Sequence, residues 1–163
     1  MSETSPSLEL LYRQHAPAAF RRARRLLGDE AEAHEIVHDV FVSLLNDPGQ
    51  HAGRSSLATF LYSAVTHACL NRIRSRRTRE RLASERPLLP GNEPRLDPEH
   101  QLILRSALRE LPELLAQVAV YYYMDELTQD EISLILGCSR RHVGNLLERL
   151  FAHPAQKELR SCS

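Results

Sequence analysis

Apolar residues recur at three- and four-residue intervals along most of this chain, and this spacing is typical of one buried face of an α-helix. Phe20, Ala23 and Leu27 follow the pattern near the start, and Val143 and Leu147 follow it near the end. Strands are disfavoured because the 163 residues contain only 6% aromatic residues and the β-branched runs are short. The sequence therefore predicts an all-α fold.

A proline-rich stretch interrupts this pattern within residues 84–100. The four prolines are Pro87, Pro90, Pro94 and Pro98. Proline removes a backbone donor and clashes with the preceding helical turn, so no helix can run through this stretch. It predicts an extended linker. We therefore expect two small helical domains at 1–83 and 99–163, joined by a linker at 84–98.

The first block predicts three helices. Pro17 interrupts the first stripe, so we expect a kink or a new helix start there, and Gly28 is a candidate C-terminal cap. A second helix is expected over 30–45. Turn-forming residues predict a loop at 47–56, and a third helix follows. Arginines surround the end of that helix at 72–81, which predicts a cationic tip.

The stretch LTQDEISLILGCSRRHVGNLLERL (127–150) contains several helix signals in order. Thr128 and Glu131 have the spacing of a capping box, which begins a helix. Gly137 can adopt the positive φ of a tight turn, and Ser139 can cap a second helix. Two short helices joined by such a turn predict a helix-turn-helix.

The second of these helices has an apolar face and a polar face. Val143, Leu146, Leu147 and Leu150 should pack inward. The outward residues are candidates for reading DNA base edges in a major groove: Arg140, Arg141, His142, Asn145, Glu148 and Arg149. Gly144 either allows a close approach to a phosphate backbone or is simply tolerated. A helical hairpin in a small bundle is the alternative, but the two caps, the turn and the basic first turn together favour DNA binding.

The charge is locally concentrated although the formal net charge is +0. Arginines cluster at 21–25, 72–81 and 140–141, whereas acidic residues cluster at 29–39. A DNA-binding protein that acts alone is usually basic, because neutralising phosphates supplies much of its affinity. The pattern predicts one surface for DNA, another for a basic protein partner, and weak DNA affinity without that partner.

Four segments in order resemble the extracytoplasmic-function (ECF) group of bacterial RNA polymerase sigma factors, in the sigma-70 family. They are LYRQHAPAAFRRARRLLGD (11–29), AHEIVHDVFVSLL (33–45), SSLATFLYSAVTHACLNRIRSRR (55–77), and LRELP (108–112) followed by YYYMDELTQDEI and the helix-turn-helix. The resemblance implies an initiation factor without catalysis or cofactor. Such a factor binds core RNA polymerase, directs it to −35 and −10 promoter elements and helps to melt the −10 region.

The resemblance also assigns residues to each contact. Core polymerase would be bound by Glu35, His38, Asp39 and Phe41. The −10 element would be bound by Phe60, Ser63, His67, Asn71, Arg74, Arg76 and Arg77. Thr59 and Thr66 are expected on the same polar face, and the loop at 47–56 would form part of a base pocket. The helix-turn-helix would bind the −35 element.

Several positions depart from the family pattern. The family often has Trp where Phe60 stands, Asn where His67 stands and Asp where Asn71 stands. Basic residues usually occupy the positions of Gly144 and Leu146. These differences put the preferred −10 bases and the −35 register in question.

Two other functions remain open at this stage. HEIVH (34–38) matches the H-E-x-x-H signature of zinc proteases, in which His34 and His38 bind the metal and Glu35 acts as general base. No third ligand is evident, so a chance match is favoured. The second alternative is a stand-alone helix-turn-helix regulator with its first block as a dimerisation domain.

The remaining features predict a cytoplasmic protein without a membrane segment. The start, MSETSPSLEL, lacks the basic and apolar stretches of a signal peptide. Cys69, Cys138 and Cys162 are too scattered for a disulfide framework, and the tail at 157–163 is expected to be disordered. Tyr121, Tyr122 and Tyr123 are expected at a domain surface, where the resemblance admits an anti-sigma factor as a further partner.

Overall fold

A computed structural model describes residues 8–51, 56–82 and 98–161, and describes side chains for 9–51, 56–75 and 99–161. Within these ranges the chain is helical and contains no strand, which confirms the all-α prediction. The helices are α1 (Leu8–Leu27), α2 (Glu30–Asn46), α3 (Leu57–Leu82), α4 (Pro98–Glu110), α5 (Glu113–Ala119), α6 (Gln129–Leu136), α7 (Arg140–Ala152) and α8 (Gln156–Ser161). A 3-10 turn covers Pro48–His51, and a π-helical turn covers Val120–Met124. No described helix is long and apolar enough to cross a membrane.

The contacts divide the chain into two compact units, Met1–Ala68 and Cys69–Ser163. The division falls inside α3, because the end of this helix is grouped with the C-terminal helices. Most of the predicted linker at 84–98 lies outside the described residues, which resume with α4 at Pro98. The domain limits 1–83 and 99–163 therefore stay a prediction.

The N-terminal unit is built on the packing of α1 against α2. Gly28 adopts a φ of 70°, the left-handed conformation that ends α1. The next residue, Asp29, caps α2 by accepting a hydrogen bond from the Glu32 N–H at 2.8 Å. Pro17 lies within an uninterrupted α1 and does not begin a new helix. The short connection brings the buried faces of the two helices together.

A polar cluster joins α3 to α1 in the same unit. Arg22 Nε donates a hydrogen bond to Thr66 Oγ1 at 2.6 Å, and the guanidinium carbon of Arg22 lies 3.6 Å from the centroid of the Tyr62 ring. Thr66 Oγ1 donates in turn to the Tyr62 carbonyl at 2.8 Å. Thr66 is fully buried, so the prediction that it lies on the polar face of α3 was wrong. The Thr66 hydroxyl makes both of these hydrogen bonds within the N-terminal unit.

The C-terminal unit contains α4 to α8. Helix α5 packs against α7, and α6 packs against α7 in the helix-turn-helix. Tyr121 is fully buried, which corrects its expected position at the surface, whereas Tyr122 is exposed and contacts the ring of Phe151 at a centroid distance of 5.6 Å. Neighbouring tyrosines differ because successive residues of a helical turn face different directions.

The expectation of a disordered tail is also corrected. Residues Gln156–Ser161 form α8, which contacts both α4 and α7. Leu159 and Ala155 are buried there. A six-residue helix has little stability by itself, so burial of these apolar side chains stabilises it. Cys162 lies outside the described residues, while Cys69 is buried and Cys138 is half-buried.

Candidate nucleic-acid interface

The first helix of the helix-turn-helix begins at a complete capping box. Thr128 Oγ1 accepts a hydrogen bond from the Glu131 N–H at 3.3 Å, and Glu131 Oε2 accepts from the Thr128 N–H at 2.7 Å. These contacts, led by the bond from the Thr128 backbone, lower the pKa of the Glu131 carboxyl from its ordinary value. The bonds satisfy N–H groups that the first turn of a helix leaves without partners. The start of α6 is therefore fixed by its own sequence.

The turn between α6 and α7, like the start of α6, is formed by contacts between residues that are close in sequence. Gly137 has φ 65° and ψ 34°, a left-handed conformation that glycine adopts without steric cost. The Cys138 N–H donates to the Ser133 carbonyl at 3.1 Å. Ser139 then caps α7 by accepting from the His142 N–H at 3.1 Å. The predicted helix-turn-helix is confirmed, including the caps that begin its two helices and the glycine turn between them.

Helix α7 has one buried apolar face and one exposed polar face. Val143, Leu146, Leu147 and Leu150 are all buried. The six predicted base-reading residues are all exposed: Arg140, Arg141, His142, Asn145, Glu148 and Arg149. A helix held by one face and bearing hydrogen-bonding side chains on the other can enter a major groove without disturbing its own packing.

The first turn of α6 lies beside the outward face of α7. Asp130 Oδ2 is 3.7 Å from Arg140 Nη1. A Cβ atom added at Gly144 would lie 3.7 Å from Gln129 Oε1, which is an ordinary contact distance. Packing within the protein therefore does not require glycine at position 144.

Helix α3 carries the predicted −10 residues of the N-terminal unit on one side. Phe60 and Ser63 are half-buried and His67 is exposed. The three positions are separated by three and four residues, so they lie on one side of the helix. The His51 ring from the preceding 3-10 turn lies 5.6 Å from the Phe60 ring, at a tilt of 33°. Thr59 is half-buried beside Ser56, with 2.9 Å between their hydroxyl oxygens. These side chains form an aromatic and polar surface on α3.

The later −10 candidates differ in their surroundings. Asn71 is exposed. Arg74 is largely covered and forms an ion pair with Glu113 of α5, with 3.6 Å between Nη1 and Oε2. Arg76 and Arg77 belong to α3, but their side chains lie outside the described residues. Arg74 therefore has an acidic partner within the protein.

The outer face of α2 is acidic and partly apolar. Glu35, His38 and Asp39 are exposed, and their contact with a partner stays a prediction. Phe41 is only 3% exposed, and its ring packs against Tyr12 at a centroid distance of 4.9 Å. The prediction that Phe41 contacts a partner directly therefore needs correction, because its ring is used to hold α2 against α1.

Two exposed apolar residues on α2 were missed by the sequence reasoning. Val42 and Leu45 are 37% and 46% exposed. They follow His38 at four and seven residues, so they share its side of the helix. The signal was present in this spacing, but apolar residues in a helix are normally assigned to its core.

Two family models match the chain. The Sigma-70 region 2 model matches residues 11–79, and the Sigma-70 region 4 model matches residues 101–153. Their order is that of the four segments quoted above. The chain belongs to the sigma-70 family.

Individual relatives agree with this membership. An ECF sigma factor SigE of Mycolicibacterium smegmatis is 26% identical over 162 residues, covering 95% of this chain and 61% of SigE. A sigma-F factor of Kitasatospora aureofaciens is 40% identical over 73 residues, covering 45% of this chain and 23% of that protein. The chain thus spans less than two thirds of the length of either relative.

A solved structure shares the fold of this sigma-70 protein. It is a sigma factor RpoE in complex with the anti-sigma factor NepR, from Bartonella quintana. The TM-score is 0.55 at 15% sequence identity, and the match covers 94% of each chain.

The zinc-protease alternative finds no support at HEIVH in this sigma-70 chain. The His34 ring stacks on Phe20 at 4.1 Å, and His38 Nδ1 lies 3.6 Å from Asp39 Oδ1. Among the residues that the structure describes, no three His, Cys, Asp or Glu side chains are grouped so as to hold a metal ion. Within HEIVH, Ile36 and Val37 are buried and the other three residues are exposed.

Proposed function

We propose that this protein is a transcription initiation factor that binds core RNA polymerase and directs it to promoters. The N-terminal unit would bind polymerase through α2 and the −10 element through α3, and the helix-turn-helix would bind the −35 element. The observation that carries this proposal is the two-faced α7, which stands on a locally fixed turn within the matched region 4. No catalysis or cofactor is needed for this role, and we expect it to be performed in the cytoplasm.

The −35 contact depends on the exposed face of α7. The guanidinium of Arg140 or Arg141 can donate two hydrogen bonds to a guanine edge, and the Asn145 amide can pair with an adenine edge. Arg140→Ala should therefore cost about 1–3 kcal/mol at one base pair of the −35 element. Holoenzyme binding to fragments that differ at single −35 positions measures this loss. An equal loss on every fragment would argue against base readout by Arg140.

The −10 contact depends on α3. Its half-buried Phe60 could stack on an unpaired base, and Ser63, His67 and Asn71 could hydrogen-bond to base edges. Stacking on the single strand would offset part of the energy lost when the duplex opens. The arginines beyond Asn71 would neutralise phosphates. Replacing Arg76 and Arg77 by Gln should weaken all promoters alike and reduce the dependence of affinity on salt; an unchanged salt slope would contradict that role.

The polymerase contact depends on the outer face of α2. Its carboxylates at Glu35 and Asp39 would attract a basic surface, and exposed Val42 and Leu45 would supply apolar contact area. Asp39→Lys should reduce core affinity because it reverses the charge on this face. Glu158→Lys on α8 is the matched control, since it reverses one charge outside α2. Equal affinities for the Asp39 variant and the unchanged protein would count against the assignment.

The requirement for core polymerase distinguishes the proposed initiation factor from a stand-alone regulator. Gel-shift assays with and without core polymerase should give tight, promoter-specific complexes only when core is present. Tight binding to duplex DNA by the protein alone would favour the regulator.

An anti-sigma factor is a further partner that we propose. The support is that the structural neighbour from Bartonella quintana was solved with such a protein. Tyr122 and Phe151 present exposed aromatic rings that a protein partner could cover. Co-purification from the native host tests this, with Phe151→Ser as the variant expected to lose the partner. Retention of the same partner by that variant would exclude the aromatic pair as the contact.

A further inference from the structure

An ion pair links the two helices of the helix-turn-helix at its outward face. Arg140 is the first residue of α7, and Asp130 is the second residue of α6. Their closest charged atoms, Nη1 and Oδ2, are 3.7 Å apart. Both side chains are about two-thirds exposed, at 67% and 69%. The pair thus lies in solvent, where DNA would also have access to it.

The two acidic residues in the first turn of α6 have different partners. Glu131 closes the capping box by bonding to Thr128. Asp130 takes no part in that box, and its side chain extends instead toward Arg140. The neighbouring Gln129 approaches the position where a side chain at Gly144 would begin. The first turn of α6 therefore forms one edge of the surface that is assigned to base reading.

A carboxylate at this place affects a nearby arginine in two ways. It limits the orientations of a long, flexible guanidinium, so less freedom is lost when Arg140 reaches a base. It also repels phosphates, because like charges at short range raise the energy of the complex. The first effect favours contact of Arg140 with a base, and the second disfavours complexes in which Arg140 only neutralises the backbone. Removing the carboxylate should therefore raise general DNA affinity while reducing discrimination.

We propose that Asp130 is a positioning residue that sets the specificity of Arg140 at the −35 element. This inference rests on the proposed function of α7. The expected effect of Asp130 on discrimination is modest, because exposed ion pairs contribute little free energy and are weakened by salt. We expect a change of about two- to fivefold in discrimination, which corresponds to the upper part of the range for such pairs.

A double-mutant cycle on the holoenzyme tests the coupling. Binding is measured on promoter fragments that match the −35 element or differ at the one base pair that Arg140→Ala affects. Asp130→Asn should reduce the ratio of matched to altered affinity by about two- to fivefold and leave binding to unrelated DNA equal or tighter. In the Arg140→Ala background it should leave the ratio unchanged. Asp130→Glu keeps the charge and should restore most of the discrimination.

The outcomes separate the inference from the function on which it rests. If Arg140→Ala leaves every −35 position unaffected, base reading by this helix end fails, and the inference is overturned with it. If Arg140→Ala removes discrimination but Asp130→Asn does not alter it, only the inference is overturned. The same holds if Asp130→Asn weakens binding equally in both backgrounds, because that result indicates a general effect on α6. A two- to fivefold loss that diminishes at higher salt supports the ion-pair mechanism.

Discussion

Gly144→Ala should stabilise this protein. Glycine inside a helix costs about 0.8–1.0 kcal/mol relative to alanine, because the unfolded chain loses more freedom at glycine. Gly144 is the fifth residue of the 13-residue α7, so it lies in the helix interior. A Cβ atom there would meet its nearest neighbour, Gln129 Oε1, at 3.7 Å, which creates no clash. We therefore expect the full helix-propensity gain of about 0.8–1.0 kcal/mol.

Thermal unfolding followed by circular dichroism measures this gain. For a chain of this size, 1 kcal/mol raises Tm by about 2–4 °C. Gly137→Ala is the matched control. It also has open space around its Cβ position, but its φ of +65° places alanine in the left-handed region, at a cost of about 1–2 kcal/mol. The two identical changes should therefore shift Tm in opposite directions. A lower Tm for Gly144→Ala would refute the reasoning.

The same variant distinguishes the two explanations of this glycine. If α7 approaches a phosphate backbone closely at this point, Gly144→Ala will be more stable but will bind the −35 element less tightly. If the glycine is only tolerated, stability will rise and affinity will stay the same. Holoenzyme affinity for a −35 fragment, measured beside Tm, separates these results.

Three further predictions concern the same domain. Leu146→Ala should destabilise it by about 2–5 kcal/mol because Leu146 is 1% exposed, whereas Leu134→Ala should be nearly neutral because Leu134 is 76% exposed; equal urea midpoints would contradict the assigned burial. Thr128→Ala should cost about 1 kcal/mol through loss of the helix cap, and an unchanged Tm would exclude that role. Because the folded pKa of Glu131 is lowered, its contribution is present above the ordinary glutamate pKa and is lost as pH falls through the lower folded value. Acid titration of stability should therefore show a smaller loss for Glu131→Gln, and identical curves would be inconsistent with the capping box.

The helix-turn-helix was predictable in detail because its signals are local. A capping box, a glycine in the left-handed region and a serine cap each act within four residues. The spacing of four apolar residues also identified the buried face of α7. These features need no knowledge of the rest of the chain, so sequence and structure agree closely here.

The errors arose where contacts between distant residues decide the outcome. Thr66 reads as a polar surface residue, but Arg22, 44 positions earlier, binds its hydroxyl inside the unit. The tail has weak helical signals, yet α4 and α7 bury Leu159 and stabilise α8. Phe41 was given a partner contact from the resemblance, although Tyr12 covers its ring. Sequence spacing alone does not contain these long-range contacts.

The two positions of α7 that depart from the pattern implied by the resemblance, Gly144 and Leu146, differ in their location on the helix. Leu146 stands where the resemblance predicts a basic residue, but its side chain is buried and contributes to the core of the domain. The resemblance predicts a basic residue also at Gly144, where an added Cβ atom would lie at an ordinary contact distance of 3.7 Å from Gln129 Oε1. The change at 146 therefore bears on stability, whereas the Gly144→Ala comparison decides whether the change at 144 bears on DNA recognition.

Run-off transcription with purified core polymerase on genomic fragments tests the proposed function most directly. The protein should confer initiation at defined start sites, which core polymerase alone should not use, and Asp39→Lys should reduce the yield at all of those sites. Transcripts whose start sites and yields are the same with and without the protein would contradict the account.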